Sequence, residues 1–121
     1  MAKKVLIVDD SKSMRQMINF TLSENGYAVE EAENGKVGID VLDSVQPELI
    51  ISDINMPEMD GISFIKKVRE NSAFKFVPII VLTTESEATK QDEGKKAGAS
   101  AWIIKPFSPE KLMEVVKKVG G

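Results

Sequence analysis

Polar side chains able to do chemistry follow four short apolar runs, each at the point where the run ends. Asp9 and Asp10 come after the first run and Asp53 after the second, while Thr83 and Lys105 come after the third and fourth. If the runs are strands of one parallel sheet, their carboxyl ends share one edge, so these five side chains meet there. Three carboxylates in close proximity repel one another, which raises their pKa values unless a cation compensates.

This combination of side chains suits phosphoryl transfer assisted by Mg²⁺. Mg²⁺ binds oxygen ligands from a few carboxylates and keeps positions for waters and phosphate oxygens. Lys105 adds a second positive charge and Thr83 a hydroxyl donor, and phosphoryl transfer depends mostly on positioning and charge stabilisation. The chain has no histidine and no cysteine, so a carboxylate is the expected nucleophile, acting through an aspartyl phosphate.

Taken singly, each of these residues has a more ordinary explanation. An aspartate after a strand is more often a helix N-cap than a ligand, and either Asp10 or Ser11 would cap the following helix. A threonine after a strand usually has no special role, and a lysine before a proline, such as Lys105, is usually a solvated surface residue. Their joint placement at successive strand ends favours a functional site.

The apolar runs indicate strands of a parallel sheet. They are short and rich in β-branched residues, as in strands buried on both faces. The four runs are Val5–Val8, Leu49–Ile51, Val77–Leu82 and Ala101–Ile104. A fifth segment, Tyr27–Glu31, alternates apolar and polar residues and suits an edge strand.

Helical patterns separate the strands. Apolar stripes of helical period begin at Met14 and at Gly61, a weaker one covers Asn34–Val45, and a last one follows Ser108-Pro109, a favourable N-cap and first helical position. The segment Glu85–Ala97 is almost entirely polar, so a loosely packed helix is expected there. The alternation of strands and helices predicts an α/β fold with helices on both faces of a parallel sheet.

Length and composition narrow the functional class. The 121 residues suit one domain spanning residues 1–121. The net charge of −3 argues against nucleic-acid binding. No targeting signal or long apolar segment is apparent, so a cytoplasmic protein without membrane contact is expected. The absence of cysteine excludes disulfides and zinc–thiolate sites.

At this point the sequence resembles the receiver domains of two-component response regulators, over essentially the whole chain and most closely those of the single-domain chemotaxis type. The matching segments are Val8–Ser11, Asp53–Gly61, Val81–Thr84 and Lys105–Phe107. The resemblance implies a doubly wound, flavodoxin-like (βα)5 three-layer sandwich with strand order 2-1-3-4-5. It also implies a cis peptide bond between Lys105 and Pro106.

The resemblance implies a role for each matching residue of the site. Asp53 would accept a phosphoryl group from a phosphohistidine of a kinase. Asp10 and Asp53 would bind Mg²⁺ directly, together with the backbone carbonyl of Asn55, and Asp9 would reach the metal through water. Thr83 and Lys105 would contact the phosphoryl oxygens.

The resemblance also implies a switch and a means of tuning it. Thr83 would move toward the phosphoryl group, and an aromatic residue on the last strand would reorient with it. That residue is usually Tyr or Phe in the family but is Trp102 here. Asn55 and Glu85 occupy the positions that tune phosphoryl lifetime. The output face would comprise Glu85–Ala97, the strand carrying Trp102 and the last helix.

The resulting hypothesis is a stand-alone monomeric response regulator that catalyses only its own phosphorylation and dephosphorylation. Its expected partners are a chemotaxis-type histidine kinase and a downstream protein such as a flagellar motor switch protein. A phosphate sink and a phosphorelay intermediate are alternatives within the class. An aspartyl-phosphatase-type hydrolase would separate its two first-strand carboxylates by one residue, whereas Asp9 and Asp10 are adjacent. A flavin-binding electron carrier would need a hydroxyl- and glycine-rich loop in place of these two aspartates.

Overall fold

A computed structural model describes residues 3–54, 56, 59–84 and 91–120 of the chain. Strands and helices alternate along these residues. In chain order they are β1 (Lys4–Val8), α1 (Lys12–Glu24), β2 (Ala28–Ala32), α2 (Gly35–Val45), β3 (Leu49–Asp53), α3 (Gly61–Glu70), a 3-10 turn (Ser72–Phe74), β4 (Ile79–Thr84), α4 (Gln91–Ala97), β5 (Ala101–Lys105) and α5 (Pro109–Val119).

The strands form one parallel sheet in the order β2-β1-β3-β4-β5. This arrangement confirms the predicted doubly wound α/β fold and its 2-1-3-4-5 order. The chain runs outward from β1 to β2 and then crosses to β3 on the other side of β1. The direction of winding therefore reverses between β1 and β3, and in such sheets ligands bind at the carboxyl ends of the strands beside that reversal.

The sheet separates two apolar clusters. Successive side chains of a strand point to opposite faces, so Val5 and Ile7 of β1 join the cluster under α1 and α5, whereas Leu6 and Val8 join the cluster under α2 and α3. All four residues are fully buried. This burial explains why β1 is apolar at each of these positions, and it makes the central strands a rigid support for the side chains that follow them.

Polar caps fix where four helices begin. The side chains of Ser11, Asn34, Asp60 and Ser108 accept hydrogen bonds from backbone N–H groups three residues further on, at 3.3, 2.9, 2.8 and 3.1 Å respectively. The predicted cap at Ser108 is confirmed, and of the two candidates for α1 it is Ser11 that caps the helix. Each cap satisfies an N–H group that the first helical turn leaves without an intrahelical partner.

Two strand predictions need correction. β4 spans Ile79–Thr84 rather than the predicted Val77–Leu82, so Thr83 lies within the strand. The prediction that the last strand is buried on both faces is wrong: Ile104 is 43% exposed and Trp102 is half-buried. The reason is that β5 pairs with β4 alone and forms the second edge of the sheet. The Lys105–Pro106 peptide bond is cis, as the resemblance implied.

The polar segment before β5 is described only in part. The helix α4 covers Gln91–Ala97, while residues 85–90 of the predicted helix lie outside the described residues. Within residues 92–97 of α4, the buried residues are the small Gly94 and Ala97. Beyond its carboxyl end, the Arg69 guanidinium donates hydrogen bonds to the carbonyls of Phe74 at 2.9 Å and Gly98 at 2.6 Å. Arg69 therefore ties this end of α4 to α3. Among the helices in the described part of the chain, none combines the length and apolar character that crossing a membrane requires.

The start of α3 packs directly on the backbone that carries Asp53. The Gly61 N–H donates to the Ile54 carbonyl at 2.8 Å. A Cβ at Gly61 would lie 2.5 Å from the Asp53 carbonyl oxygen and 2.6 Å from the Ile54 Cα. Because backbone atoms cannot move aside as a side chain can, this close approach requires glycine.

We therefore expect Gly61→Ala to lower the free energy of unfolding by about 1–3 kcal/mol, the usual cost of overpacking, although alanine favours helices. Urea unfolding followed by far-UV circular dichroism measures the change. Ser63→Ala, at an exposed position of the same helix, is the matched control and should shift stability by no more than about 0.5 kcal/mol. Equal stability of Gly61→Ala and wild type would contradict the packing described here.

Candidate functional site

Three carboxylates converge at the carboxyl edge of the sheet. Asp9 and Asp10 directly follow β1, and Asp53 is the last residue of β3. In the register of the two strands, Val8 pairs with Ser52. One carboxylate oxygen from each aspartate lies within 4.8 Å of the others. The structure therefore brings together the three acidic residues that the sequence analysis predicted would meet.

Asp9 is the buried member of this group. Its Oδ1 accepts a hydrogen bond from the Ser11 N–H at 2.8 Å, whereas its Oδ2 is buried without a hydrogen-bond partner among the described residues. Burial raises the pKa of the Asp9 carboxyl, and the Ser11 N–H and the Lys105 charge oppose that rise in part. A buried carboxylate oxygen without a hydrogen-bond donor is costly, and only the Lys105 ammonium, 3.7 Å away, compensates for the water that this oxygen has lost.

Lys105 reaches the carboxylates from β5, the edge strand on the other side of β4. It is the last residue of β5, and its Nζ lies 3.3 Å from Asp53 Oδ2 and 3.7 Å from Asp9 Oδ2. Its side chain is 19% exposed, so water screens these ion pairs only in part. One ammonium group thus faces two of the three carboxylates, and a net negative charge remains in the site.

Thr83 lies on β4, the strand next to β3. Asp53 pairs with Leu82, so Thr83 is one residue further toward the carboxyl edge. Thr83 is fully buried, and its hydroxyl donates to the Thr84 carbonyl over a long 3.3 Å. A long bond to a neighbouring carbonyl is weak, so little energy opposes rotation of this hydroxyl toward a new acceptor.

Arg15 is a contributor that the sequence analysis missed. Its Nη1 donates to the Asp9 backbone carbonyl at 2.5 Å, and its Nε donates to Glu31 Oε1 at 3.0 Å. Arg15 therefore joins α1 and β2 to the loop that carries Asp9 and Asp10. Its position one helical turn after the Ser11 cap could have indicated a residue close to Asp9. The contact with Glu31, however, depends on the pairing of β1 with β2.

Some predicted site residues are not brought to the acidic cluster. Trp102 pairs with Val81 across β4 and β5 and packs against the apolar cluster under α2 and α3. Its indole Nε1 is buried and has no hydrogen-bond partner among the described residues. Asn55 and Glu85 lie outside the described residues, so their predicted roles remain predictions.

The donor set of the cluster fits a hard divalent cation. Every candidate ligand is a carboxylate oxygen, and one of them, Asp9 Oδ2, is buried without a donor. A divalent cation would offset the repulsion that a single lysine leaves uncompensated. Oxygen-only ligands of this kind suit Mg²⁺ rather than a transition metal that prefers nitrogen or sulfur.

Comparison with known proteins shows the family to which the chain belongs. The sequence profile described as the response regulator receiver domain matches residues 5–117. The chain belongs to this family. Receiver domains are switch modules of two-component signalling rather than enzymes in the ordinary sense.

Chemotaxis receivers are among its relatives. The chain is 45% identical to the chemotaxis protein CheY1 of Helicobacter pylori, over 98% of this chain and 97% of that protein. It is 41% identical to a CheY homologue of Campylobacter jejuni, over 98% and 92%. The solved structure of CheY4 from Vibrio cholerae is 46% identical and superimposes with a TM-score of 0.94, covering 98% of this chain and 99% of that one. Receivers of larger proteins also match: the chain covers 52% of the transcriptional regulator PhoB of Escherichia coli at 35% identity.

The buried Asp9 carboxyl makes stability depend on pH. Its pKa in the folded protein lies above the ordinary value of 3.8. Its contribution to stability is therefore complete below that ordinary value and is lost as pH rises through the folded pKa. We expect Asp9→Asn, which can still accept from the Ser11 N–H, to raise the free energy of unfolding in metal-free buffer at neutral pH, by on the order of 1 kcal/mol.

Urea unfolding from neutral pH downward tests this expectation. The advantage of Asp9→Asn over wild type should shrink as pH falls and vanish near the ordinary pKa of an aspartate. Asp40→Asn, an exposed position of α2, is the control and should follow the wild type throughout. An advantage that stays constant with pH would show that it does not come from the charge.

Proposed function

We propose that this receiver is a phosphorylation switch in which Asp53 accepts a phosphoryl group from a histidine kinase and a Mg²⁺ ion assists. The observation that carries the proposal is the convergence of the Lys105 ammonium and three carboxylates on one sheet edge, with Lys105 Nζ 3.3 Å from Asp53 Oδ2. The kinship to chemotaxis receivers supports it.

The surroundings of the three aspartates favour Asp53 as the acceptor. Asp9 is fully buried and its Oδ1 is engaged by the Ser11 N–H, so this carboxylate is poorly placed to meet an incoming group. Asp10 is exposed and follows β1, where its carboxylate suits metal binding. Asp53 retains some accessibility, with 8% of its side chain exposed, beside a cation that faces the incoming group.

The transfer itself needs little from the protein beyond position and charge. A carboxylate oxygen of Asp53 forms a bond to phosphorus while the bond from phosphorus to the donor nitrogen breaks, and the nitrogen takes its electron pair and a proton. Lys105 faces one phosphoryl oxygen, and the Thr83 hydroxyl rotates to donate to another. Return to the unmodified state is hydrolysis: water attacks phosphorus, and Asp53 leaves as a carboxylate.

The metal would be held by the acidic cluster. Asp10 and Asp53 would bind Mg²⁺ directly and Asp9 through water, and the family pattern adds the Asn55 backbone carbonyl. When bound, Mg²⁺ supplies positive charge that offsets the carboxylates and the phosphoryl oxygens. In the same proposal, Asn55 and Glu85 tune the lifetime of the phosphoryl group.

The output of the switch is proposed to be a protein contact made by α4, β5 and α5. The relatives named as chemotaxis proteins favour a chemotaxis-type kinase upstream and a target such as a flagellar motor switch protein downstream. A phosphate sink or a relay intermediate would use the same site. A hydrolase acting on external phosphate esters is disfavoured by the adjacency of Asp9 and Asp10.

We expect one phosphoryl group on the wild type, and none on Asp53→Asn, after incubation with Mg²⁺ and acetyl phosphate. Intact mass spectrometry measures the adduct. Asp40→Asn should be modified like the wild type, and excess EDTA should abolish modification. Uptake by Asp53→Asn at the wild-type rate would falsify the assignment of the acceptor. Beryllofluoride, which imitates the phosphoryl group without turning over, distinguishes rapid hydrolysis from a failure to react.

Lys105→Met should slow uptake of the phosphoryl group by about 10²-fold, the usual loss when one preorganised charge partner of a transition state is removed. Methionine keeps the unbranched chain but loses the ammonium. The initial rate of adduct formation gives the comparison. Lys111→Met, an exposed position of α5 whose lysine pairs only with the exposed Glu114 among the described residues, is the control and should leave the rate unchanged. Equal rates for the two variants would exclude a catalytic role for Lys105.

A further inference from the structure

The indole of Trp102 occupies the space where a side chain of α4 would otherwise lie. A Cβ added at Gly94 would overlap Cη2 and Cζ2 of Trp102, the outer atoms of the larger indole ring. Gly94 is buried in the middle of α4, and Trp102 is half-buried on β5. The two residues therefore fit together only because one of them has no side chain.

Helix propensity does not explain why position 94 is a glycine. Glycine inside a helix costs up to about 1 kcal/mol relative to alanine, and α4 spans only Gln91–Ala97 in the described chain. Helix propensity therefore argues against glycine at position 94. Space for the indole is the physical reason that the structure offers for its presence.

A hydrogen bond restrains the backbone of α4 near Trp102. Arg69 of α3 donates to the Gly98 carbonyl at 2.6 Å, which fixes the carboxyl end of the helix four residues after Gly94. A side chain at position 94 would therefore displace the indole, which is the free end of a side chain, rather than the helix. The buried indole Nε1 has no hydrogen-bond partner among the described residues to hold it in place.

We propose that Gly94 is a positioning residue of the switch. Because Gly94 has no side chain, the Trp102 indole can pack beneath α4 in the unmodified protein; we call this space against Gly94 the indole seat. The residue at position 94 of α4 thus determines whether β5 can carry an aromatic side chain as large as tryptophan at position 102. This inference rests on the proposed phosphorylation switch for its functional meaning. Its structural content concerns the unmodified protein and is testable there.

Fluorescence reports the position of the indole directly, because Trp102 is the only tryptophan of the chain. In Gly94→Ala the indole should leave its seat, so its emission maximum should move to longer wavelength and its quenching by acrylamide should increase. Lys95→Ala, at an exposed position of the same helix, should leave both unchanged. Far-UV circular dichroism of each variant establishes that it is folded.

A second pair of variants distinguishes a specific clash with the indole from a general loss of packing. Phenylalanine lacks the two indole atoms that the new Cβ would overlap, so Trp102→Phe should remove the conflict. Urea unfolding should show that Gly94→Ala destabilises the wild type but does not destabilise Trp102→Phe. Equal effects of Gly94→Ala in the two backgrounds would overturn the proposal, as would unchanged emission and quenching of Trp102 in Gly94→Ala.

Beryllofluoride with Mg²⁺ connects the seat to the switch. Emission of Trp102 should change when beryllofluoride binds the wild type, and the change should be lost or reduced in Gly94→Ala, while acetyl phosphate still modifies Asp53 in both. A full emission response in Gly94→Ala would overturn the positioning role. If the wild type formed no phosphoryl adduct and also gave no response to beryllofluoride, the proposed function would be contradicted. The measurements on the unmodified variants would still test whether Gly94 positions the indole.

Discussion

Repulsion among three carboxylates at one sheet edge is the constraint on which the rest of this structure depends. Asp9, Asp10 and Asp53 are held within 4.8 Å of one another, and a single ammonium group faces two of them. Such a cluster opens or takes up protons unless the backbone holds it together. Here the backbone does so, because Val5–Val8 of β1 pair with Leu49–Ser52 of β3 and both segments are buried. The energy of the apolar core thus maintains an electrostatically unfavourable site, in which a bound cation would relieve the repulsion.

The supports of the site are as specific as the site itself. Gly61 allows α3 to begin against the backbone of Asp53, and Arg15 joins the loop after β1 to β2. Arg69 ties the end of α4 to α3, on the side of the sheet where Trp102 packs. The contacts of Gly61 and Arg15 join the segments that carry the aspartates to neighbouring elements, and the contact of Arg69 restrains a helix that packs over Trp102. The side chains of the acidic cluster are in this way placed by residues that have no part in the proposed phosphoryl transfer.

Much of the fold and the cluster could be predicted from the sequence, and the exceptions share a physical cause. Short apolar runs and helical stripes gave the elements, since burial imposes their periodicity, and the parallel topology then placed Asp9, Asp53 and Lys105 together. The order 2-1-3-4-5 placed β5 at an edge, but its partial exposure was missed, because an apolar run of four residues looks the same in a central and an edge strand. The roles of Arg15 and Gly94 were missed because each depends on how a helix packs on another element, which the sequence pattern of the helix alone does not show.

The division of the core by the sheet has a consequence for how unfolding is observed. Trp102 packs with the apolar cluster under α2 and α3, not with the one under α1 and α5. Its emission therefore reports on one half of the core, while circular dichroism averages over helices on both faces. Coincident denaturation curves from the two probes would mean that the central strands couple the halves into one cooperative unit. Separate curves would mean that the apolar clusters on the two faces of the sheet unfold in separate steps.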